Sequence, residues 1–361
     1  MTELFPAILD APAWNAQTDE VLRCQAVIQE THDVKTFVFT APEPRRFLFR
    51  PGQFMTLVLP IGGEEVNRCY TVSSSPSRPH ALSITVKRVP GGLVSNWLHD
   101  TLREGMDVRV LGPIGDFACD GSEARRFLFL SAGSGITPMM SMSRYLLDTG
   151  NGADIAFVHS ARSPADLIFR QELAALELGN TGLRTSFICE GDAPFEKWHG
   201  YRGRLSADML AQITPDFLER TVYVCGPAPY MAAVRALLER SGFNMKQYHE
   251  ESFDFGTLVE EEPEIVETTQ ALTETAYTVS FTKSRREIAC PSGTPVLSAA
   301  RAAGMRLPAS CAKGMCGTCK CKLVSGEVDM EHQGGIRQRE IDQGMILLCC
   351  AKPRTDLVVE R

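Results

Sequence analysis

The sequence predicts a multidomain chain: an antiparallel β-barrel, then an α/β domain on a parallel sheet, then a small β-rich, cysteine-dense domain. Three observations carry that prediction. Short strands punctuated by Pro and Gly fill about the first 115 residues, strand and helix alternate from Arg125 onward, and six of the twelve cysteines fall between Cys311 and Cys350. A length of 361 residues suits two or three domains of roughly 150 residues.

In the first part, Cys24–Gln29, Thr36–Phe39, Gln53–Leu59, Leu82–Lys87 and Asp107–Val110 alternate in polarity or are rich in β-branched residues. Pro42, Pro44, Pro51-Gly52 and Gly62-Gly63 separate them, the spacing of a small antiparallel barrel. A helix interrupts the strands, with Val94, Trp97, Leu98 and Leu102 on one face. Beyond it, Arg126–Leu130, Ala153–Val158 and Thr221–Val224 read as buried strands. They alternate with helices over Met139–Leu147, Ala165–Leu178 and Tyr230–Arg240, the signature of βαβ units. Tyr248–Phe253 closes that half as a last strand. Thr257–Thr275 holds six Glu, no Lys or Arg, and Pro263, so it reads as a flexible linker spanning roughly 24 Å. Tyr277–Phe281 and Arg286–Ala289 then form a hairpin and Val296–Ala303 a helix. The expected divisions are an N-terminal extension at 1–19, the barrel at 20–120, the α/β domain at 121–256, the linker at 257–275 and the cysteine-rich domain at 276–361.

Composition excludes several classes. Apolar residues make up 44% and charged residues 22%, which rules out disorder, collagen and coiled coil. No stretch of about 18 apolar residues exists to span a membrane. Met1–Phe5 lacks the basic and apolar regions of a secretory leader, so a cytoplasmic protein is expected. The net charge is −7, against a nucleic-acid partner. Six of those charges belong to the linker, leaving about −1 for the folded parts, so the acidity marks no binding face.

The cysteine-dense segment reads Cys311-x4-Cys316-x2-Cys319, then 29 residues, then Cys349, the plant-type spacing for a [2Fe–2S] cluster. Four thiolates must converge on two irons, and Gly314 and Gly317 let the backbone fold round inorganic sulfide without a Cβ. Four thiolates also suit a structural zinc ion. Cys321 and Cys350 read as small buried hydrophobes beside ligands.

Two further junctions carry glycines between a strand and a helix. Gly133-Ser-Gly135-Ile-Thr137-Pro138 offers backbone N–H groups to a pyrophosphate, or is a tight turn; its last Pro departs from the usual dinucleotide fingerprint. Cys225-Gly226-Pro227 ends a strand with a sulfur where parallel sheets bind ligands, or is a buried Cys before a turn. In the barrel, Asn67–Ser73 is a strand with Arg68 and Tyr70 on one face, fit for a phosphate beside an aromatic heterocycle, or a solvated Arg next to a core Tyr.

In this order, Arg68-x-Tyr70-Thr71, Gly92-x-x-Ser95, Gly133-x-Gly135-x-x-Pro138, Cys225-Gly226-Pro227 and the four spaced cysteines resemble the ferredoxin–NADP reductase superfamily with a plant-type ferredoxin fused at its C-terminus. The resemblance covers about residues 20–361. The chain is similar both to NADH oxidoreductases of hybrid-cluster proteins and to reductase components of Rieske-type oxygenases that demethylate quaternary amines such as glycine betaine. That resemblance implies an antiparallel flavin barrel, an α/β nucleotide domain and a β-grasp-like ferredoxin domain.

It also implies roles. Arg68 would contact flavin phosphate, Tyr70 would pack on the isoalloxazine and Thr71 would bond near its reactive nitrogen. Val86, Lys87, Gly92, Val94 and Ser95 would hold the rest of the cofactor. A Gly-x-x-Ser loop opening a helix favours FAD over FMN. Gly133, Gly135 and Thr137 would take the phosphates of NADH, with Gly226 and Pro227 in the facing loop. Cys225, Thr137 and Glu251 form the catalytic set, and Phe253 closes over the flavin. Cys311, Cys316, Cys319 and Cys349 would bind the cluster. NADH is expected over NADPH because Arg162, with Ser160 and Ser163, is opposed by Asp166. Electrons would pass from NADH through FAD and the cluster to an oxygenase component or another metalloprotein. Alternatives are small diffusible acceptors such as quinones, or a non-enzymatic zinc- or iron-sensing module. Lys313, Lys320, Lys322, Arg301 and Arg306 form an expected cationic rim round the electron exit.

Overall fold

The computed structural model describes residues 10–16, 18–119, 124–150, 152–253, 275–305, 307, 309 and 312–361. All of the expected linker but Thr275 lies outside the described residues, as do Cys311 and Arg306.

Six strands build the first sheet: β1 (Val21–Thr31), β2 (Val34–Thr40), β3 (Phe54–Ile61), β4 (Glu64–Thr71), β5 (Leu82–Lys87) and β6 (Asp107–Ile114). Their order is β4-β3-β6-β1-β2-β5, and an antiparallel bridge from Val72 to Ile84 joins the two ends, closing the expected barrel. Phe37 and Phe39 are fully buried on one face of β2. Helix α1 (Leu93–Thr101) buries Val94, Leu98 and His99, and the His99 ring meets Phe37 edge-on at 6.2 Å.

The second sheet runs β10-β9-β8-β7-β11-β12 and is parallel throughout. Its strands are β7 (Arg126–Ala132), β8 (Asp154–Ala161), β9 (Leu183–Cys189), β10 (Tyr201–Arg202), β11 (Thr221–Gly226) and β12 (Tyr248–Ser252). Both faces are covered, so β7 is apolar continuously over Phe127–Leu130 rather than alternating. Phe127 and Phe129 pack with Met139 and Met140 of α2 (Ile136–Asp148) and Leu173 of α3 (Arg170–Gly179). Leu128 and Leu130 point the other way, onto Leu210 of α4 (Ala207–Ile213) and Val234 of α5 (Ala228–Arg240).

The helix expected over Ala165–Leu178 begins later. A single 3-10 turn covers Pro164–Asp166, and Phe169 then adopts a left-handed φ of 57° before α3 starts at Arg170. Packing outweighs the backbone cost: the ring is buried, and the Arg144 guanidinium lies 4.9 Å over it.

The chain divides into two compact units. The first holds Met1–Met55 and Tyr70–Phe253, so the α/β sheet and most of the barrel form one body. The second holds Asp254–Arg361 together with the hairpin Thr56–Cys69. Within the second unit, β13 (Ala276–Phe281), β14 (Arg286–Pro291), β15 (Lys320–Ser325), β17 (Met345–Leu347) and β19 (Leu357–Glu360) order as β14-β13-β19-β15-β17. β13 and β19 are parallel while the other pairs are antiparallel. β16 (Val328–Met330) and β18 (Ala351–Pro353) pair separately. Helix α6 (Val296–Ala302) buries Val296, Leu297, Ala299 and Ala300 in one core with Val279, Phe281 and Leu347, the β-grasp-like arrangement of a helix across a mixed sheet. A short helix α7 (Gln338–Asp342) precedes β17. Among the described residues no helix is long and apolar enough to cross a membrane.

Candidate functional site

Two glycine junctions meet at the C-terminal end of the parallel sheet. Gly133 has φ 54°, a left-handed value that turns the chain out of β7. A Cβ on Gly135 would stand 2.2 Å from the Cys225 carbonyl oxygen, so Gly135 is the price of bringing the two loops into contact. The Thr137 hydroxyl donates to the Ser134 carbonyl at 3.1 Å and is buried, bracing the turn from inside. Beside the loops lies a cavity of about 380 Å³, within the range of small-ligand sites. Ala132–Ser134, Ser160–Arg162, Asp166, Glu190, Arg204, Pro227 and Tyr230 line it.

Charges at the cavity are paired. Arg162 meets Asp166 at 2.8 Å, and Arg204 approaches Glu190 at 3.5 Å. Burial raises the Asp166 pKa, but hydrogen bonds from Ser163 and Arg162 outweigh it and hold the carboxyl below its ordinary value. Lys87, expected at the flavin, also lines this cavity and bonds Asp33 at 2.8 Å.

Across the same strand ends runs a row of polar side chains. Glu251 on β12 is the register partner of Cys225 on β11, Cys225 of Ser131 on β7, and Ser131 of His159 on β8. Burial, then the neighbouring Glu251, pushes the Cys225 thiol well up. Burial raises Glu251 to about 8, and its Oε2 is covered without a hydrogen-bond partner among the described residues. His159 is buried, shares a 2.8 Å hydrogen bond between Nδ1 and Ser131 Oγ, and is pushed down to about 3 by burial. It is therefore neutral near pH 7. Phe253 packs against the core that contains Cys225. Neither Ser131 nor the catalytic-end position of His159 was readable from sequence, because lateral register leaves no mark on a single strand.

In the barrel, Cys69 and Thr71 are buried while Arg68 and Tyr70 are half-buried, as alternation requires. Thr71 Oγ1 is covered and has no hydrogen-bond partner among the described residues. A buried hydroxyl without a partner is costly, so it fits a ligand that supplies one, as the resemblance expects of flavin. Gly92 opens α1 with no side-chain cap, and a Cβ there would sit 2.7 Å from Ser95 Oγ. Ser95 Oγ accepts the Val89 N–H at 3.1 Å, holding the turn that exposes the helix N-terminus. Val86 and Val94 are buried, supporting that turn from the core.

In the second unit, Cys316, Cys319 and Cys349 are buried, and Gly314 and Gly317 take φ values of 72° and 68°. Cys319 and Cys349 share a hydrogen bond, which lowers the Cys349 thiol and raises that of Cys319. The described cysteines do not form a trio with sulfurs within 4.8 Å of one another. Cys350 is half-buried and donates to the Leu347 carbonyl at 3.7 Å, while Cys321 is buried in the core. The fourth expected ligand, Cys311, lies outside the described residues.

The expected cationic rim needs one correction. The Lys320 side chain is only 6% exposed and ion-pairs with Glu340 at 2.6 Å and Glu65 at 3.6 Å. A buried ammonium requires such partners, and α7 delivers one of them. Lys313 and Lys322 are exposed.

Three family models match in chain order: an oxidoreductase FAD-binding domain over residues 22–119, an oxidoreductase NAD-binding domain over 129–236 and a 2Fe-2S iron-sulfur cluster binding domain over 280–354. The chain is 47% identical to the glycine betaine monooxygenase reductase subunit of Pseudomonas aeruginosa, over 94% of each chain. It is 40% identical to the stachydrine N-demethylase reductase subunit of Rhizobium meliloti, over 94% of this chain and 96% of that one. Identity to the Escherichia coli NADH oxidoreductase HCR is 33%, over 92% and 95%. Among solved structures, phthalate dioxygenase reductase superposes with a TM-score of 0.56 at 26% identity, covering 94% of this chain and 97% of that one.

Proposed function

This chain belongs to the family of NADH-dependent flavin and iron–sulfur reductase subunits that serve monooxygenases, and from that we propose that its acceptor is a Rieske-type oxygenase demethylating a quaternary amine. It passes electrons from NADH by way of FAD and a [2Fe–2S] cluster to an oxygenase component. FAD, when bound, accepts a hydride and releases electrons singly, and the cluster carries them one at a time.

The residues divide the remaining work. Gly133 and Gly135 present backbone N–H groups to the dinucleotide phosphates at the start of α2. Arg162 and Arg204 are committed to Asp166 and Glu190, which leaves a 2′-phosphate without a ready cation and favours NADH. Arg68, Tyr70 and Thr71 hold the flavin, with Gly92 and Ser95 shaping the helix N-terminus for its pyrophosphate. Cys225 stands at the nicotinamide position, and Glu251 keeps its proton up to about pH 8 beside it. His159 stays neutral and adds no charge that would compete with hydride departure. Cys311, Cys316, Cys319 and Cys349 bind the cluster. We place the reaction in the cytoplasm, where NADH is supplied and thiols stay reduced.

The observation that carries this reading is the 47% identity, over 94% of each chain, to the glycine betaine monooxygenase reductase subunit. The test mixes the purified protein with NADH and a quaternary-amine oxygenase and its substrate, then follows NADH loss and formaldehyde release. Coupled formaldehyde release supports the reading. Its absence with every such oxygenase, alongside rapid reduction of a hybrid-cluster protein, overturns it in favour of the second reading that the likeness to HCR suggests.

A further inference from the structure

Two side chains outside the cysteine motif hold the peptides that follow Cys316. Thr56 Oγ1 donates to the Cys316 carbonyl at 2.9 Å, and Asn67 Nδ2 donates to the Gly317 carbonyl at 3.0 Å. Both come from the hairpin Thr56–Cys69, which belongs to the same compact unit as residues 316–319. Thr56 is fully buried. The Asn67 amide can point only this way, since its oxygen would otherwise face a carbonyl oxygen. That orientation leaves Asn67 Oδ1 covered and without a hydrogen-bond partner among the described residues, so the amide gives up one hydrogen bond to make the other. Cys69 completes the contact: its thiol lies 3.4 Å from Thr56 Oγ1 and 3.9 Å from Thr318 Oγ1.

A trans peptide carries its C=O and N–H on opposite edges of one plane. Fixing the carbonyls of Cys316 and Gly317 toward the hairpin therefore fixes the N–H groups of Gly317 and Thr318 away from it. We infer that Thr56 and Asn67 are positioning residues for the [2Fe–2S] cluster, clamping two peptides of its loop so that their N–H groups stay oriented toward the sulfur side and set its reduction potential. Donors aimed at cluster sulfur stabilise the reduced, more negative state. The hairpin thereby tunes the cluster from residues far from the cysteines in sequence. The inference rests on the [2Fe–2S] reading of the site.

The test uses the full chain with Thr56→Val, Asn67→Leu, the two combined, and Thr56→Ser. Iron and acid-labile sulfide are counted first, since their absence from the parent protein refutes the cluster itself rather than the clamp. The midpoint potential is then read by optical redox titration, and the reduced cluster by electron paramagnetic resonance. A downward shift in Thr56→Val, a larger one in the double variant, altered g-values and restoration by Thr56→Ser support the clamp. Unchanged potential and g-values in a fully loaded double variant overturn it. Should the double variant assemble no cluster, the Thr56→Val and Thr56→Ser pair decides: equal potentials reject the clamp, and a shift only in the valine variant upholds it.

Discussion

Cys225 and Glu251 face each other in register across β11 and β12, and nothing among the described residues neutralises the buried Glu251 Oε2. Burial raises this carboxyl from its ordinary value near 4.5 to about 8. An acid whose folded pKa exceeds its unfolded value contributes stability that is present below the unfolded pKa and is lost as pH rises through the folded one. The parent protein should therefore lose more thermal stability than Glu251→Gln between pH 5 and about 9. Parallel Tm curves for the two proteins over that window would show that Glu251 ionises normally.

Gly135 should tolerate no side chain. A Cβ placed 2.2 Å from the Cys225 oxygen forces the two loops apart, and overpacking of this kind costs about 1–3 kcal/mol. Gly135→Ala should raise the KM for NADH and lower the Tm while leaving flavin content near normal. An unchanged KM would mean that the loop contact does not shape the dinucleotide site.

Cofactor preference should respond to Asp166. In Asp166→Asn the Arg162 guanidinium, 68% exposed, loses its nearer opposing charge and keeps only the more distant Asp33 at 3.9 Å, and the kcat/KM ratio for NADPH over NADH should rise by about tenfold, or 1.4 kcal/mol. Glu190 still attends Arg204, so NADH should stay the better substrate. A ratio that does not move would assign the preference to groups other than this pair.

The register of the cluster ligands separates two adjacent cysteines. Cys349 lies against Cys319 and Cys316 as well as Cys350, while Cys350 also donates to the Leu347 carbonyl. Cys349→Ser should abolish the normal cluster spectrum, with loss of most iron and labile sulfide, and Cys350→Ser should largely keep both. The opposite pattern would shift the ligand register by one residue.

The parts of the site that were legible in sequence are those fixed by local chemistry. Cysteine spacing, Gly133 and Gly135 at a strand–helix junction, and the Arg68–Tyr70 alternation each constrain a few consecutive residues. The three-part architecture was legible for the same reason, as strand and helix periods change along the chain. What escaped notice depends on partners distant in the chain. β9 was missed because Leu183–Cys189 mixes Arg184, Thr185 and Ser186 with its apolar residues, and only pairing with β8 makes it a strand. The left-handed turn at Phe169 reflects tertiary burial against Arg144. Thr56 and Asn67 gave no sign of their role because they act on backbone some 250 residues away.

Lys320 is the most instructive of these cases, and it reshapes the expectation for docking. Its sequence neighbourhood suggested a surface charge, yet the folded chain buries it between Glu340 and Glu65. Among the described residues of that rim, the exposed charges left to steer an acidic partner are Lys313 and Lys322, with Arg301 half-buried. Attraction between exposed charges fades beyond a Debye length of about 8 Å at physiological salt, so its effect should appear in association rate rather than in turnover. Lys322→Glu should slow reduction of the oxygenase at low ionic strength by about tenfold and flatten the salt dependence, while NADH–ferricyanide activity is kept. Lys320→Gln should act differently, since removing one member of a buried pair leaves Glu340 with only Arg337 to compensate it; it should lower the Tm and leave the salt slope unchanged. Stopped-flow reduction of the oxygenase against ionic strength, run beside thermal melts, separates the two effects. A salt slope that changes in Lys320→Gln but not in Lys322→Glu would place the docking charge back on the buried lysine.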